Sequence, residues 1–154
     1  MGDENKIRDA ADAIKGIVEA VPIYQDAVQP AAKEVATALQ TLAKTIHVVL
    51  SPLKGLVWGY ERIMAHLETA LAEKFKHIPK DRIITPNPTV AVPLLQSLLY
   101  TAQEPDLREL FTNLLATSMD KETIKNAHPS FVELIKQLTP DEARLLRYLA
   151  RMTT

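Results

Sequence analysis

Apolar residues recur along this chain at intervals of three and four, and stretches that alternate every second residue are scarce, so the pattern predicts an all-α protein. The longest run starts at Val28 and steps through Ala32, Val35, Leu39, Leu42, Ile46 and Val49. That is the heptad-like seam of an amphipathic helix, whose other faces carry Lys33, Glu34, Gln40 and Lys44. The same phase continues across Ser51 and Pro52 through Leu53, Leu56, Tyr60, Ile63, Leu67 and Ala70, flanked by Val57, Met64 and Leu71. Two structures fit: Pro52 opens a second helix capped by Ser51, or it kinks one helix running from residue 28 to residue 76. A sharp reversal calls for a longer link with turn residues such as glycine, and VLSPL has none. The expectation is therefore one long proline-kinked helix, or two nearly collinear ones, reaching about 70 Å at 1.5 Å per residue.

The stretch HIPKDRIITPNPT breaks the pattern with three prolines and an asparagine and reads as a connecting loop. Beyond it Ala91, Leu94, Leu95, Leu98, Leu99 and Ala102 make one apolar helical face, with Pro93 placed in the first turn. Glu104-Pro105 restarts a helix with Leu107, Leu110, Phe111, Leu114, Leu115 and Ser118 at the same spacing. SFVELIKQL forms a short helix entered through His128 and Pro129. Thr139-Pro140-Asp141-Glu142 then supplies an N-cap, a proline at the first helical position and the glutamate of a capping box, ahead of Ala143, Leu145, Leu146 and Leu149. The whole reads as one helical domain, residues 1–154: a bundle built around the long helix, with shorter helices toward the C-terminus.

Composition narrows what such a bundle can do. With 47% hydrophobic and 24% charged residues the chain is globular, and the longest uncharged run, Ile83 to Gln103, holds three prolines and is no membrane span. A net charge of −1 creates no long-range field toward nucleic acid or anionic lipid, so such binding would need a local cluster. The absence of cysteine excludes disulfides, thiolate metal sites and cysteine nucleophiles, and fits a reducing compartment. The polar, acidic N-terminus lacks a secretory signal, which makes the cytoplasm the expected location.

Three groups of residues carry candidate chemistry. Gly55 and Gly59 form a G-x-x-x-G around the only tryptophan, Trp58. At 100° per residue Gly55, Gly59, Arg62 and His66 lie opposite the core face, with Trp58 beside them. Lys54, Glu61 and Arg62 exclude a membrane setting, which leaves close helix packing in water or a contact surface anchored by Trp58. Arg62 and His66 also invite comparison with HEPN-class ribonucleases, whose Arg and His on one helix have four to six residues between them; here the interval is shorter. Lys74, Lys76, Lys80 and Arg82 around His77 are the best cluster for an anion, nucleic acid or a membrane surface. The plainer reading is positive charge at the end of a helix, complementing its dipole, and Glu73 and Asp81 dilute the patch. The four histidines are scattered without ligand spacing, and no nucleophile elbow, phosphate loop or dinucleotide fingerprint is present, so neither metal nor cofactor is expected.

From Leu107 onward the chain resembles a bacterial family named Abi-alpha, an abortive-infection family. The resemblance rests on FTNLLATSMD and AHPSFVELIKQLTPDEA and, upstream, on VPIYQDAVQPAAKEV and LSPLKGLVWGYERI. It implies a role in phage defence and carries over no catalytic residue. Family chains tend to extend further, so the sequence stands as the N-terminal part of a longer member or as a short one. The expected function is non-catalytic defence through contact with a protein partner or a second copy, with the Trp58 face and the loop after His77 as working surfaces. Nucleic acid is not the expected partner. The alternatives are a membrane-perturbing effector, in which the long amphipathic helix makes a peripheral membrane contact, and a ribonuclease toxin using Arg62 and His66.

Overall fold

The computed structural model describes residues 30–50, 57–101 and 103–153, and the side chains of 37–49 and of 61 onward within those ranges. It is an all-α bundle. The helices are α1 (Pro30–Leu50), α2 (Val57–Phe75), α3 (Pro88–Thr101), α4 (Pro105–Ser118), α5 (Ser130–Gln137) and α6 (Pro140–Met152), with single 3-10 turns at Lys80–Arg82 and Ile124–Asn126. The predicted seam of α1 is the one buried: Leu39, Leu42 and Ile46 are closed to solvent, as are Ala38 and Ala43, whose small side chains let neighbours approach. On α2 the stripe is Ile63, Leu67 and Leu71, with Met64 and Phe75 beside it.

The expectation of near-collinear helices is corrected by packing. α1 rests on α3 and on the 3-10 turn at Lys80–Arg82, only a few residues past the end of α2. Were α1 and α2 in line, the 19 residues of α2 would carry that turn about 28 Å from the nearest end of α1. The residues between Phe75 and Lys80 can span at most about 17 Å back, which falls short of contact. The two helices are therefore not in line. Pro52 and Gly55 lie in 51–56, outside the described residues.

α4 is the hub, packed against α2, α3, α5 and α6. Its apolar face, Leu107, Phe111, Leu114 and Leu115, is buried, and Phe111 and Leu115 are wholly enclosed. α3 begins earlier than its apolar pattern suggests. The Asn87 side chain accepts hydrogen bonds from the Thr89 N–H (3.0 Å) and hydroxyl (2.9 Å), so Asn87 caps the helix and Pro88 takes its first position. Pro93 consequently stands in the helix interior and not in the first turn.

The loops on either side of the hub are tied together. Ile84 N–H donates to Met119 O (2.8 Å) and Lys121 N–H to Arg82 O (2.9 Å), an antiparallel bridge that buries Ile83 completely. At the C-terminal end the capping box of α6 forms as its sequence implies, with Thr139 N–H donating to Glu142 Oε2 (2.8 Å) and Glu142 N–H to Thr139 Oγ1 (3.3 Å).

Candidate interaction surfaces

The Trp58 face is only partly visible. Gly55 is outside the described residues, and Trp58 and Gly59 lie in the first turn of α2 with side-chain positions outside the described set. Arg62 is exposed one turn further along. His66 does not share that exposure. It is half-buried against α4, its Nε2 3.1 Å from Thr112 Oγ1. The Thr112 hydroxyl already donates to Arg108 O (2.8 Å), so its oxygen accepts from His66 and Nε2 carries the proton. Burial, and then the nearby Arg108 charge, hold the His66 pKa below its ordinary value of 6.5, so the ring is neutral at pH 7.

That shift has a measurable consequence. As pH falls below 6.5 the unfolded chain takes up a proton at position 66 before the folded one does. The stabilisation from neutral His66 is thus complete above pH 6.5 and declines as pH falls toward the lowered folded value. Urea midpoints compared between pH 7.5 and 5.5 are expected to drop less for His66→Gln than for the wild type. Equal drops would show that His66 does not titrate in this way.

The basic run is engaged in internal contacts. Lys74 Nζ donates to Glu109 Oε1 (3.1 Å) and to Asn113 Oδ1 on α4, in the same α2–α4 seam as His66. Lys76 pairs with Glu73 on its own helix at 2.6 Å, and this contact lowers the Glu73 pKa. Lys80 is half-buried in the 3-10 turn. Arg82 spreads its guanidinium over two carboxylates: Nε donates to Asp120 Oδ1 (2.9 Å), Nη2 to Asp120 Oδ2, and Nη1 lies 3.0 Å from Glu122 Oε2. An incoming phosphate would have to displace carboxylates already in place at Lys74, Lys76 and Arg82. The structure brings these cations to one end of α2 but not into a shared, open site.

A third surface was not singled out from sequence. On α6 only Ala143 is buried, while Leu145 (56% exposed), Leu149 (48%) and Met152 (68%) face outward with Leu146 and Tyr148. The cause lies on the other side of the helix. Asp106, in the first turn of α4, accepts from Arg147 Nη1 and from Arg144 Nε (3.2 Å), and Ala143 allows the two helices to close together. The paired arginines and the small residue set the rotation of α6, and its large apolar residues are turned out. On α5 Val132 points into the core, whereas Phe131 and Leu134 are half-exposed. Between α4, α5 and α6 these residues border a groove of about 750 Å³, floored by Leu110, Leu114, Ile135 and Leu138 and reached by Leu146. The exposed side chains of the two helices and the groove beside them lie on the same side of the bundle, next to α4.

Among the described residues no three His, Asp or Glu side chains are grouped to hold a metal ion, and no helix is long and apolar enough to cross a membrane. The family model described as abortive infection alpha matches residues 59–154, which spans α2 from its third residue, the bridged loops and the C-terminal apolar face. Comparison with curated proteins and with solved structures finds no match.

Proposed function

The chain belongs to the abortive infection alpha family, and from that membership we propose that it serves phage defence in the bacterial cytoplasm, acting through protein contact and not through catalysis. The observation that carries the contact reading is the outward-facing apolar surface of α5 and α6. Half-exposed Phe131, Leu134, Leu145, Leu146 and Leu149 retain water contact that a partner would remove.

The competing mechanisms demand more of the fold. A membrane-perturbing effector would have to turn out the stripes of α1 and α2, but Leu39, Leu42, Ile46, Leu67 and Leu71 form the centre of the core. A ribonuclease built on Arg62 and His66 would need the imidazole to reach RNA, whereas His66 is hydrogen-bonded to Thr112 in the α2–α4 seam.

The test is phage plating on a bacterial host expressing the chain. The wild type is expected to lower plating efficiency, and Leu149→Glu, exposed and so tolerated by the fold, is expected to lose that protection. Liposomes containing anionic lipid should stay sealed, and cellular RNA should stay intact. RNA cleavage abolished by Arg62→Ala or His66→Ala would overturn the non-catalytic reading, and leakage would replace it with the membrane one.

A further inference from the structure

We propose that the groove between α4, α5 and α6 binds a small uncharged acyl compound, an amide, ester or lactone. Its chain lies over the apolar floor and its carbonyl is received by asparagine side chains. Such a site neither needs nor excludes the contact reading above.

The charge of the lining sets the class of ligand. None of the twelve side chains around the groove is ionisable. Glu133 and Lys136 of α5 pair with each other at 3.0 Å and border a different recess, with Val49 and Tyr100. Arg144 and Arg147 of α6 are held by Asp106. A carboxylate or an ammonium group brought into the groove would lose hydration and meet no opposite charge, whereas an uncharged chain gives up only its contact with water.

The hydrogen-bonding groups left over set the head of the ligand. Four of the five polar lining residues, Asn113, Thr117, Thr123 and Asn126, belong to α4 or to the loop after it. Both threonine hydroxyls are committed as donors, Thr117 Oγ1 to Asn113 O (2.8 Å) and Thr123 Oγ1 to Thr117 O (2.9 Å), so each retains only acceptor capacity. Asn113 accepts from Lys74 through Oδ1, which leaves its NH2 group to offer. Asn126 is exposed, and its side chain bonds to no other described residue. The donors that remain are therefore amide N–H groups, and their complement is a carbonyl oxygen. The threonine oxygens beside them suit the N–H of an acyl amide. From Leu110 to Thr117 the groove follows two turns of α4, about 10 Å, and its volume of about 750 Å³ is that of a small-molecule site.

Titration calorimetry of the full chain with octanamide tests this. One site with a Kd on the order of 0.1 mM is expected, the ordinary efficiency for a ligand of about ten non-hydrogen atoms. Octanoate, the same chain with a charged head, should bind at least about tenfold more weakly. Asn126→Asp replaces a donor with an acceptor, and Leu134→Glu puts a charge on the apolar wall. Both positions are exposed, so helicity by circular dichroism should be unchanged, and each substitution should weaken octanamide binding about tenfold or more.

Three results overturn the site: no saturable binding at millimolar octanamide, octanoate bound as tightly as octanamide, or octanamide binding that survives either substitution. The chain should also stay in the supernatant when sedimented with phosphatidylcholine vesicles. Pelleting with them would overturn a free ligand and assign the groove to the acyl chains of a bilayer.

Discussion

Replacing Phe111 with alanine is expected to cost about 4 kcal/mol of folding stability, the largest loss from any single truncation among the described residues. The ring is fully enclosed at the middle of α4, the helix that touches α2, α3, α5 and α6. Its removal forfeits the transfer energy of the aromatic side chain and leaves a cavity that four neighbouring helices cannot all collapse into. Because a domain of this size holds only about 5–15 kcal/mol in total, the variant should be near its unfolding midpoint in mild urea. Tyr100→Ala is the control. Tyr100 is 84% exposed and its loss should stay within about 0.5 kcal/mol. A Phe111→Ala loss no larger than the control's would mean that α4 is not the centre of the bundle.

The position of Phe111 could be read from sequence because it rests on periodicity alone. Leu107, Phe111, Leu114 and Leu115 recur at helical spacing between a proline that opens the helix and a polar stretch that follows it, and that face is the buried one. The capping box at Thr139 and Glu142 was equally legible, since both partners lie within one turn. What periodicity cannot supply is the direction in which successive helices run. The seams of α1 and α2 share one phase across Pro52, and a continuous phase is as compatible with a change of direction as with a line. Only the packing of α1 on the turn at Lys80–Arg82 separates the two.

The same limit explains the surfaces. Leu145 and Leu149 follow a capping box at helical spacing and so read as core. Ala143, Arg147 and Ala150 are equally well spaced on the opposite side, and Asp106, far away in sequence, decides which face turns in. The basic run also reads as open when cations are counted along the chain, yet the carboxylates facing Lys74 and Arg82 arrive from α4 and the loop beyond it. Charge on a sequence is a list of formal charges; charge on a surface is what remains after such pairing.

Asp120→Ala is the second large effect expected, at about 3 kcal/mol. Asp120 is 3% exposed and holds three contacts: both oxygens receive the Arg82 guanidinium, and Oδ1 also accepts the Glu122 N–H at 3.0 Å. Around that pair run the two backbone hydrogen bonds that join the loop after α2 to the loop after α4. Truncation leaves Arg82 with the exposed Glu122 alone, strands a backbone donor and loosens the bridge over Ile83. The value sits at the lower end for a broken buried pair because the Arg82 side chain is 26% exposed and water can reach part of it. Hydrogen bonding from Arg82 holds the Asp120 carboxyl below its ordinary pKa of 3.8. For an acid so shifted, the stabilisation is complete above pH 3.8 and is lost as pH falls through the lowered folded value. The difference between wild type and Asp120→Ala should therefore be constant from neutral pH down to about 4 and shrink only below it. A difference that closes near pH 6 would trace the instability to a histidine and not to this pair, and one that never closes would show that Asp120 stabilises the bridge by shape and not by charge.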